Sequence, residues 1–195
     1  MDMTLTLYNT VTKKEKTLNL PEVALAYTLG DFCSVKDLYR NVITLEVESE
    51  FGFEWENTLD IELLNNTLLK LQNLKVKDYN RFILIWKVQE KKDLYGLINT
   101  LKFYEHIEII NKTTIDKRNI ANLVNYALFG DELAWQLETQ LTPNNINALI
   151  HAALRCGIIK ENDTDFFICD NYVFEQSIIQ SVETLEKLPF DRKAG

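Results

Sequence analysis

The sequence predicts an α+β protein of two to three small domains, with a mostly helical centre and short antiparallel strand units at both ends. Three observations lead there. A two-residue alternation of apolar and acidic side chains begins at Val42. Apolar residues recur at helical spacing from Ile61 to Leu101. Short aromatic and β-branched runs return near the end, in DFFIC and YVF.

The elements follow in order. Residues 3–9 (MTLTLYN) and 16–20 (KTLNL) read as two strands joined by the charged turn Lys13-Lys14-Glu15. Pro21 sits at a favoured first-turn position, so PEVALAYTL reads as a short helix that stops at Gly30. Ser34 can cap a second short helix, SVKDLYR. A strand is predicted from Val42 to Trp55. Its apolar members are the odd positions Ile43, Leu45, Val47, Phe51, Phe53 and Trp55, and its acids are the even positions Glu46, Glu48, Glu50, Glu54 and Glu56. Such a strand keeps one face in the core and one in water.

Ile61, Leu64, Leu68 and Leu71, then Phe82, Ile85 and Trp86, then Leu94, Leu97, Ile98 and Leu101 predict three helices near 60–72, 78–90 and 92–102. Asp60 and Asp78 are placed as N-caps. A strand over 106–110 and a helix over 116–129 closed by Gly130 come next, then a further helical turn or two over 131–140. Thr142 and Pro143 open a helix that Gly157 ends. A strand pair, 165–169 with 172–174, and a helix near 176–188 complete the chain. The expected units are 1–57 (α+β), 58–140 (mainly helical) and 141–195 (helix plus strand pair).

Composition narrows the class. Apolar residues make up 46% of the chain, enough for a packed core, and 6 Gly with 3 Pro leave little room for long flexible linkers. No run of 18 apolar residues is present, and the start MDMTLTLYNT has no secretion-signal pattern, so neither a membrane span nor export is expected. Three widely spaced cysteines, Cys33, Cys156 and Cys169, do not form a disulfide framework, and a reducing cytoplasm is the expected location. Charge is unevenly spread. Residues 1–69 hold 5 Lys/Arg and 12 Asp/Glu (net −7), 70–118 hold 11 and 6 (net +5), and 119–195 hold 5 and 11 (net −6). Acidic ends repel nucleic acid and attract basic protein grooves.

No catalytic constellation is expected. His106 and His151 have no Ser, Cys or carboxylate at triad spacing. His151, Cys156 and Cys169 match no zinc pattern, so no metal and no cofactor is assigned, and a Gly-rich phosphate loop is missing. Exposed glutamates on one strand face are poor acid–base catalysts, because nothing pushes their pKa values apart. The basic stretch 70–118 carries Tyr79, Phe82, Trp86, Tyr95, Phe103 and Tyr104. Basic and aromatic interleaving can serve single-strand binding, but the helical spacing of these aromatics fits a core better.

The order of elements resembles the ArdA family of antirestriction proteins. The points of contact are the acid-and-aromatic segment EVESEFGFEWENTLDIE with the Leu-rich helix ELLNNTLLKL, the run from residue 97 to 129 with EHIEII and DKRNIANLVNYALF, and the closing DFFICDNYVFE. The resemblance implies an elongated, curved homodimer of three small domains. It implies a protein that does no chemistry: carboxylates stand in for DNA phosphates and occupy the DNA-binding groove of a type I restriction–modification enzyme. Carried onto this chain, the phosphate-mimicking residues are Glu46, Glu48, Glu50, Glu54, Glu56, Asp60 and Glu62, with Asp131, Glu132, Glu161, Asp163 and Asp165 as a weaker second set. Two features depart from the family pattern: a net charge of only −8 and the basic middle segment. The resemblance implies a phage or mobile-element inhibitor in the host cytoplasm, acting on that enzyme or another DNA-binding defence complex, with no direct DNA binding. The residues leave two alternatives. One is a protein-interaction adaptor or anti-CRISPR-like inhibitor that binds by shape. The other is a nucleic-acid-binding module that uses residues 70–118.

Overall fold

The structure is a computed structural model that describes residues 1–56, 58–126 and 140–169. The fold is α+β: short helices accompany two three-stranded antiparallel sheets, of strand order β2-β1-β3 and β4-β6-β5. The chain divides into two compact units, Met1–Tyr104 and Glu105–Gly195.

In the first unit β1 (Met3–Asn9) lies between β2 (Glu15–Leu20) and β3 (Val42–Ser49). Met3, Leu5 and Leu7 are buried and pair with Leu20, Leu18 and Lys16 of β2. Thr4, Thr6 and Tyr8 occupy the opposite face, as period-2 alternation requires. The β1–β2 hairpin is closed by Asn9, whose Oδ1 accepts from the N–H groups of Val11 (2.9 Å) and Thr12 (3.0 Å) while its Nδ2 donates to the Phe32 carbonyl (2.7 Å).

The helix expected from Pro21 is shorter. α1 covers only Leu25–Leu29, and Gly30 (φ +52°) ends it. The reason is long-range. The N–H of Glu22 donates to Asn65 Oδ1 (2.7 Å) and its carbonyl accepts from Asn65 Nδ2 (2.9 Å). Asn65 takes the Glu22 carbonyl that would open the ladder, and the first carbonyl to accept helical N–H groups, from Tyr27 and Thr28, is that of Ala24. Ser34 also acts differently: its hydroxyl donates to Asp37 Oδ2 (2.6 Å) over a 3-10 turn, Val35–Asp37, before α2 (Leu38–Asn41).

Three helices follow: α3 (Ile61–Gln72), α4 (Val76–Lys87) and α5 (Leu94–Phe103). Their buried faces include the expected Ile61, Leu64, Leu68, Leu71, Phe82, Ile85, Trp86, Leu94 and Leu97. Asp60 caps α3 by accepting from the Leu63 N–H (2.9 Å), and Asp93 caps α5 through the Gly96 N–H (2.8 Å). Asp78 is not a cap. α4 starts earlier, at Val76, which puts Asp78 inside the first turn, where its charge still favours the helix dipole. A Cβ at Gly96 would come within 2.2 Å of the Lys91 carbonyl oxygen, so glycine is what lets the preceding loop fold onto α5.

The expected boundary at residue 57 is not where the chain divides. Asn65 fastens α3 to Glu22, Trp86 Nε1 donates to the Phe51 carbonyl, and the Met1 amino group donates to the Tyr79 hydroxyl (2.9 Å). These bonds join the central helices to the first sheet.

A 3-10 turn at Tyr104–His106 carries the chain from the first unit into the second and its strand β4 (Ile107–Asn111). The helix α6 is described over 117–126, and the N–H of Asn119 donates to Asp116 Oδ1 (2.9 Å) at its start. α7 (Pro143–Arg155) opens with the expected Thr142 and Pro143, in a capping box completed by Asn145. It ends in a Schellman motif: Gly157 (φ +74°) donates to the Leu154 carbonyl and Ile158 to the Ala153 carbonyl. Ile120, Ala121 and Val124 of α6 share a core with Ile146, Ile150 and Ala153 of α7 and with Ile159 and Ile168. That shared core removes the expected boundary at residue 140.

β6 (Asp165–Cys169) pairs with β4 on one side and with β5 (Ile159–Glu161) on the other. β5 is not among the strands the sequence predicts, and the pairing expected between β6 and 172–174 falls on residues outside the described ones. Residues 172–174, the expected end of the 116–129 helix with Gly130, all but residue 140 of the helical turns expected over 131–140, and the helix expected over 176–188 lie outside the described residues. Among the described residues no helix is long and apolar enough to cross a membrane.

Candidate functional site

β3 places the first two acids. Directly opposite residues of an antiparallel pair share a face. Glu46 pairs with Thr6 and Glu48 with Thr4, so both glutamates stand on the outer face with the threonines. The alternation is not continuous, however. Leu7 pairs with Thr44 and Thr6 with Glu46, which leaves Leu45 as an extra residue, a β-bulge. Before the bulge the inner positions are even, Val42 and Thr44; after it they are odd, Val47 and Ser49. Ile43 therefore lies on the outer side, and Leu45 is 44% exposed rather than buried.

The strand ends at Ser49, well short of the predicted Trp55. A turn at Glu50 and Phe51 passes through Gly52, whose φ of +69° a side chain would resist. Glu54 and Glu56 then lie on irregular backbone. The five glutamates are all exposed, but only Glu46 and Glu48 keep the strand spacing of roughly 6.6 Å. The segment is held from below. Ser49 Oγ accepts from the Phe53 N–H (3.0 Å), Trp86 Nε1 donates to the Phe51 carbonyl (2.9 Å), and the rings of Phe51, Phe53 and Trp86 meet edge to face. The N–H of Glu54 donates to the Lys92 carbonyl (2.8 Å), and the Lys92 side chain runs beside Gly52. A lysine far away in sequence therefore lies along the acidic segment. Even so, none of the five glutamates forms an ion pair among the described residues.

Asp60 and Glu62 are half-buried and are already engaged. The Tyr39 hydroxyl lies 3.1 Å from Asp60 Oδ1 and 3.3 Å from Glu62 Oε2. Loss of water around the hydroxyl, its hydrogen bond to Asp60 and the two negative charges push the Tyr39 pKa up to about 12. Nothing in the sequence marked Tyr39, because its partners are more than twenty positions away.

The second acidic set is less open. Glu161 is ion-paired to Lys112 (2.7 Å), and the Lys112 ammonium also donates to the Asn162 carbonyl and lies 4.8 Å from the Phe166 ring centre. Asp165 is half-buried and accepts from the Thr164 hydroxyl, while Asp163 is exposed in the turn. Asp131 and Glu132 lie outside the described residues.

Other chemistry is sparse. His106 and His151 are both exposed, and no cluster of three His, Cys, Asp or Glu able to hold a metal occurs among the described residues. Burial and the nearby Asp37 push the Cys33 thiol up from its ordinary pKa, which leaves it less thiolate. In the basic stretch Phe82, Trp86, Phe103 and Tyr104 are buried, so they are core; Tyr95 is 73% exposed. Comparison with family models, with curated proteins and with solved structures finds no match for this chain.

Proposed function

We propose that this protein is a non-enzymatic antirestriction inhibitor. It presents surface carboxylates in place of DNA phosphates and occupies the DNA-binding groove of a type I restriction–modification enzyme, or of another DNA-binding defence complex, in the host cytoplasm. Like the family it resembles, it works as a homodimer. One observation carries the reading: Glu46, Glu48, Glu50, Glu54 and Glu56 are all exposed and unpaired among the described residues, on one stretch of one compact unit. Neighbouring carboxylates closer than the screening length, roughly 8 Å at physiological salt, act on a basic groove as one field.

The test is charge reversal at Glu46, Glu48 and Glu50 to Lys, assayed for restriction and modification activity at two salt concentrations. Inhibition by the wild type should fall steeply with salt, and the triple variant should not inhibit at all. Its stability should stay within about 1.5 kcal/mol of the wild type, at about 0.5 kcal/mol for each exposed position. Full inhibition by the variant sinks the reading.

A second reading has its own observation. Val23 and Tyr27 are 87% and 88% exposed, beside Glu22 in the α1 turn. Exposed apolar groups of this size suit an adaptor or inhibitor that docks by shape. Binding of that kind is nearly salt-independent, so the same salt series separates the two.

A further inference from the structure

α6 and α7 meet over the core of the second unit, and one position on α6 breaks the apolar pattern. Ile120 with Val124 and Ala121 with Asn125 are two pairs four residues apart, so all four share the inward face of the helix. Ile120, Ala121 and Val124 pack with Ile146, Ile150 and Ala153 of α7. The fourth is an asparagine, 3% exposed, and its Nδ2 has no hydrogen-bond partner among the described residues. Buried amides are nearly always bonded, because an amide that leaves water without a replacement is destabilising.

Asn125 lines a cavity of about 180 Å³, together with Gln140, Leu141, Asn145 and Leu149. A cavity of roughly 150 Å³ takes one benzene ring, so this one has room for a single ring or a short branched chain. A water takes up about 30 Å³, so one water on the amide leaves most of the space empty. Leu141 and Leu149 supply apolar walls and pack against the same core. Asn145 is already committed: its Oδ1 accepts from the Thr142 N–H (2.6 Å) and its Nδ2 donates to the Gln140 carbonyl (2.9 Å). Those two bonds fix the 140–142 wall and leave the Asn125 amide as the buried polar group still to be satisfied. No charged side chain lines the cavity among the described residues, so an ion would find no counter-charge there.

We propose that this cavity is a binding site for a small neutral molecule, with one ring or a short branched aliphatic body and one hydroxyl or carbonyl oxygen. The body lies between Leu141 and Leu149, and the oxygen accepts from Asn125 Nδ2. The site belongs to the second unit and does not depend on the inhibitor reading, whose five exposed glutamates lie in the first. A ligand held by α6 and α7 together binds only the folded unit and therefore stabilises it.

The experiment adds benzyl alcohol, toluene or benzoate to the isotope-labelled full chain and follows the side-chain signals by NMR. Benzyl alcohol should shift the Asn125 side-chain amide and the Leu141 and Leu149 methyl groups together and saturably. Toluene has the ring without the oxygen and should bind about tenfold more weakly, since it leaves the amide without a partner. Benzoate, a charged ring of similar size, should not saturate these signals. Two variants separate the roles. Asn125→Leu fills the site with apolar atoms, so it should lose benzyl alcohol binding and unfold at a higher urea concentration than the wild type. Asn125→Ala leaves room but no donor, so it should bind toluene as well as benzyl alcohol; it also covers the case of a leucine variant that fails to fold. The proposal is overturned by the lack of a saturable shift with any probe, by equal binding of toluene and benzyl alcohol to the wild type, or by an unchanged preference in Asn125→Ala. A water cross-peak at the Asn125 amide that persists in the presence of the probe also overturns it, because the cavity is then a water site only.

Discussion

The indole Nε1 of Trp86 donates to the carbonyl of Phe51 at 2.9 Å, and this bond joins the acidic turn after β3 to the core of α4. Trp86 is 1% exposed, stacks on Phe82 at 6.4 Å and meets Phe51 edge to face at 6.2 Å. The residue thus works in two ways. Its ring fills the helical core, and its one polar atom fixes the backbone from which Glu50 and Glu54 project.

Trp86→Phe separates those two roles. A phenyl ring keeps much of the apolar contact but leaves the Phe51 carbonyl without its donor. The expected loss of stability is about 1–3 kcal/mol, the cost of one unmade hydrogen bond together with a partly filled site. Urea unfolding measures the loss. Limited proteolysis should show faster cleavage in 50–56, because the turn loses its anchor. An unchanged cleavage pattern would mean that the aromatic contacts alone hold the turn.

Thr44 gives the opposite sign. It faces Leu7 on the inner side of the sheet, is 1% exposed, and its hydroxyl has no hydrogen-bond partner among the described residues. A buried hydroxyl that has left water without a replacement is destabilising. Thr44→Val keeps the β-branched shape and removes the polar atom. The variant should be more stable by about 1 kcal/mol, read as a higher denaturant midpoint with an unchanged slope. A loss of stability would show that a bound water satisfies the hydroxyl.

The difference between what could be read from the sequence and what could not follows the range of the interactions. The stripe Ile61, Leu64, Leu68 and Leu71 and the caps Asp60, Thr142 and Gly157 are local, and each lies where its spacing placed it. The bulge at Leu45 is set by pairing with Thr6 and Leu7, some forty residues earlier, and a one-residue slip there reverses which positions face inward. The shortening of α1 depends on Asn65 reaching Glu22. The same holds at the acidic surface. Alternation accounts for the exposure of Glu46 and Glu48 on β3, whereas Glu50, Glu54 and Glu56 are exposed on irregular backbone beyond the strand. The strand's end at Ser49 and the approach of Lys92 to Gly52 and Glu54 depend on contacts that no local pattern encodes.

Tyr39 offers a spectroscopic handle on the border of that surface. Its hydroxyl stands between Asp60 and Glu62, on a side chain that is 59% exposed. One hydroxyl carries one proton, and ionising it would put a third negative charge beside two carboxylates. Loss of water around the hydroxyl, its hydrogen bond to Asp60 and these two charges together raise its pKa from 10.0 to about 12. A tyrosine whose folded pKa lies above its unfolded value contributes stability that is complete below the unfolded value and is lost as pH climbs through the folded one. The window is therefore about pH 10 to 12. Burial and the nearby Asp2 also raise the Tyr79 pKa, so ultraviolet difference titration of phenolate should show a late phase to which both tyrosines contribute, and Tyr39→Phe should reduce its amplitude by one phenol. Asp60→Asn/Glu62→Gln should bring the Tyr39 contribution back toward 10, because the two charges that oppose ionisation are gone while the phenol remains. If Tyr39→Phe leaves the amplitude of the late phase unchanged, Tyr39 does not titrate in it, and the contact of Tyr39 with the two carboxylates does not form in solution.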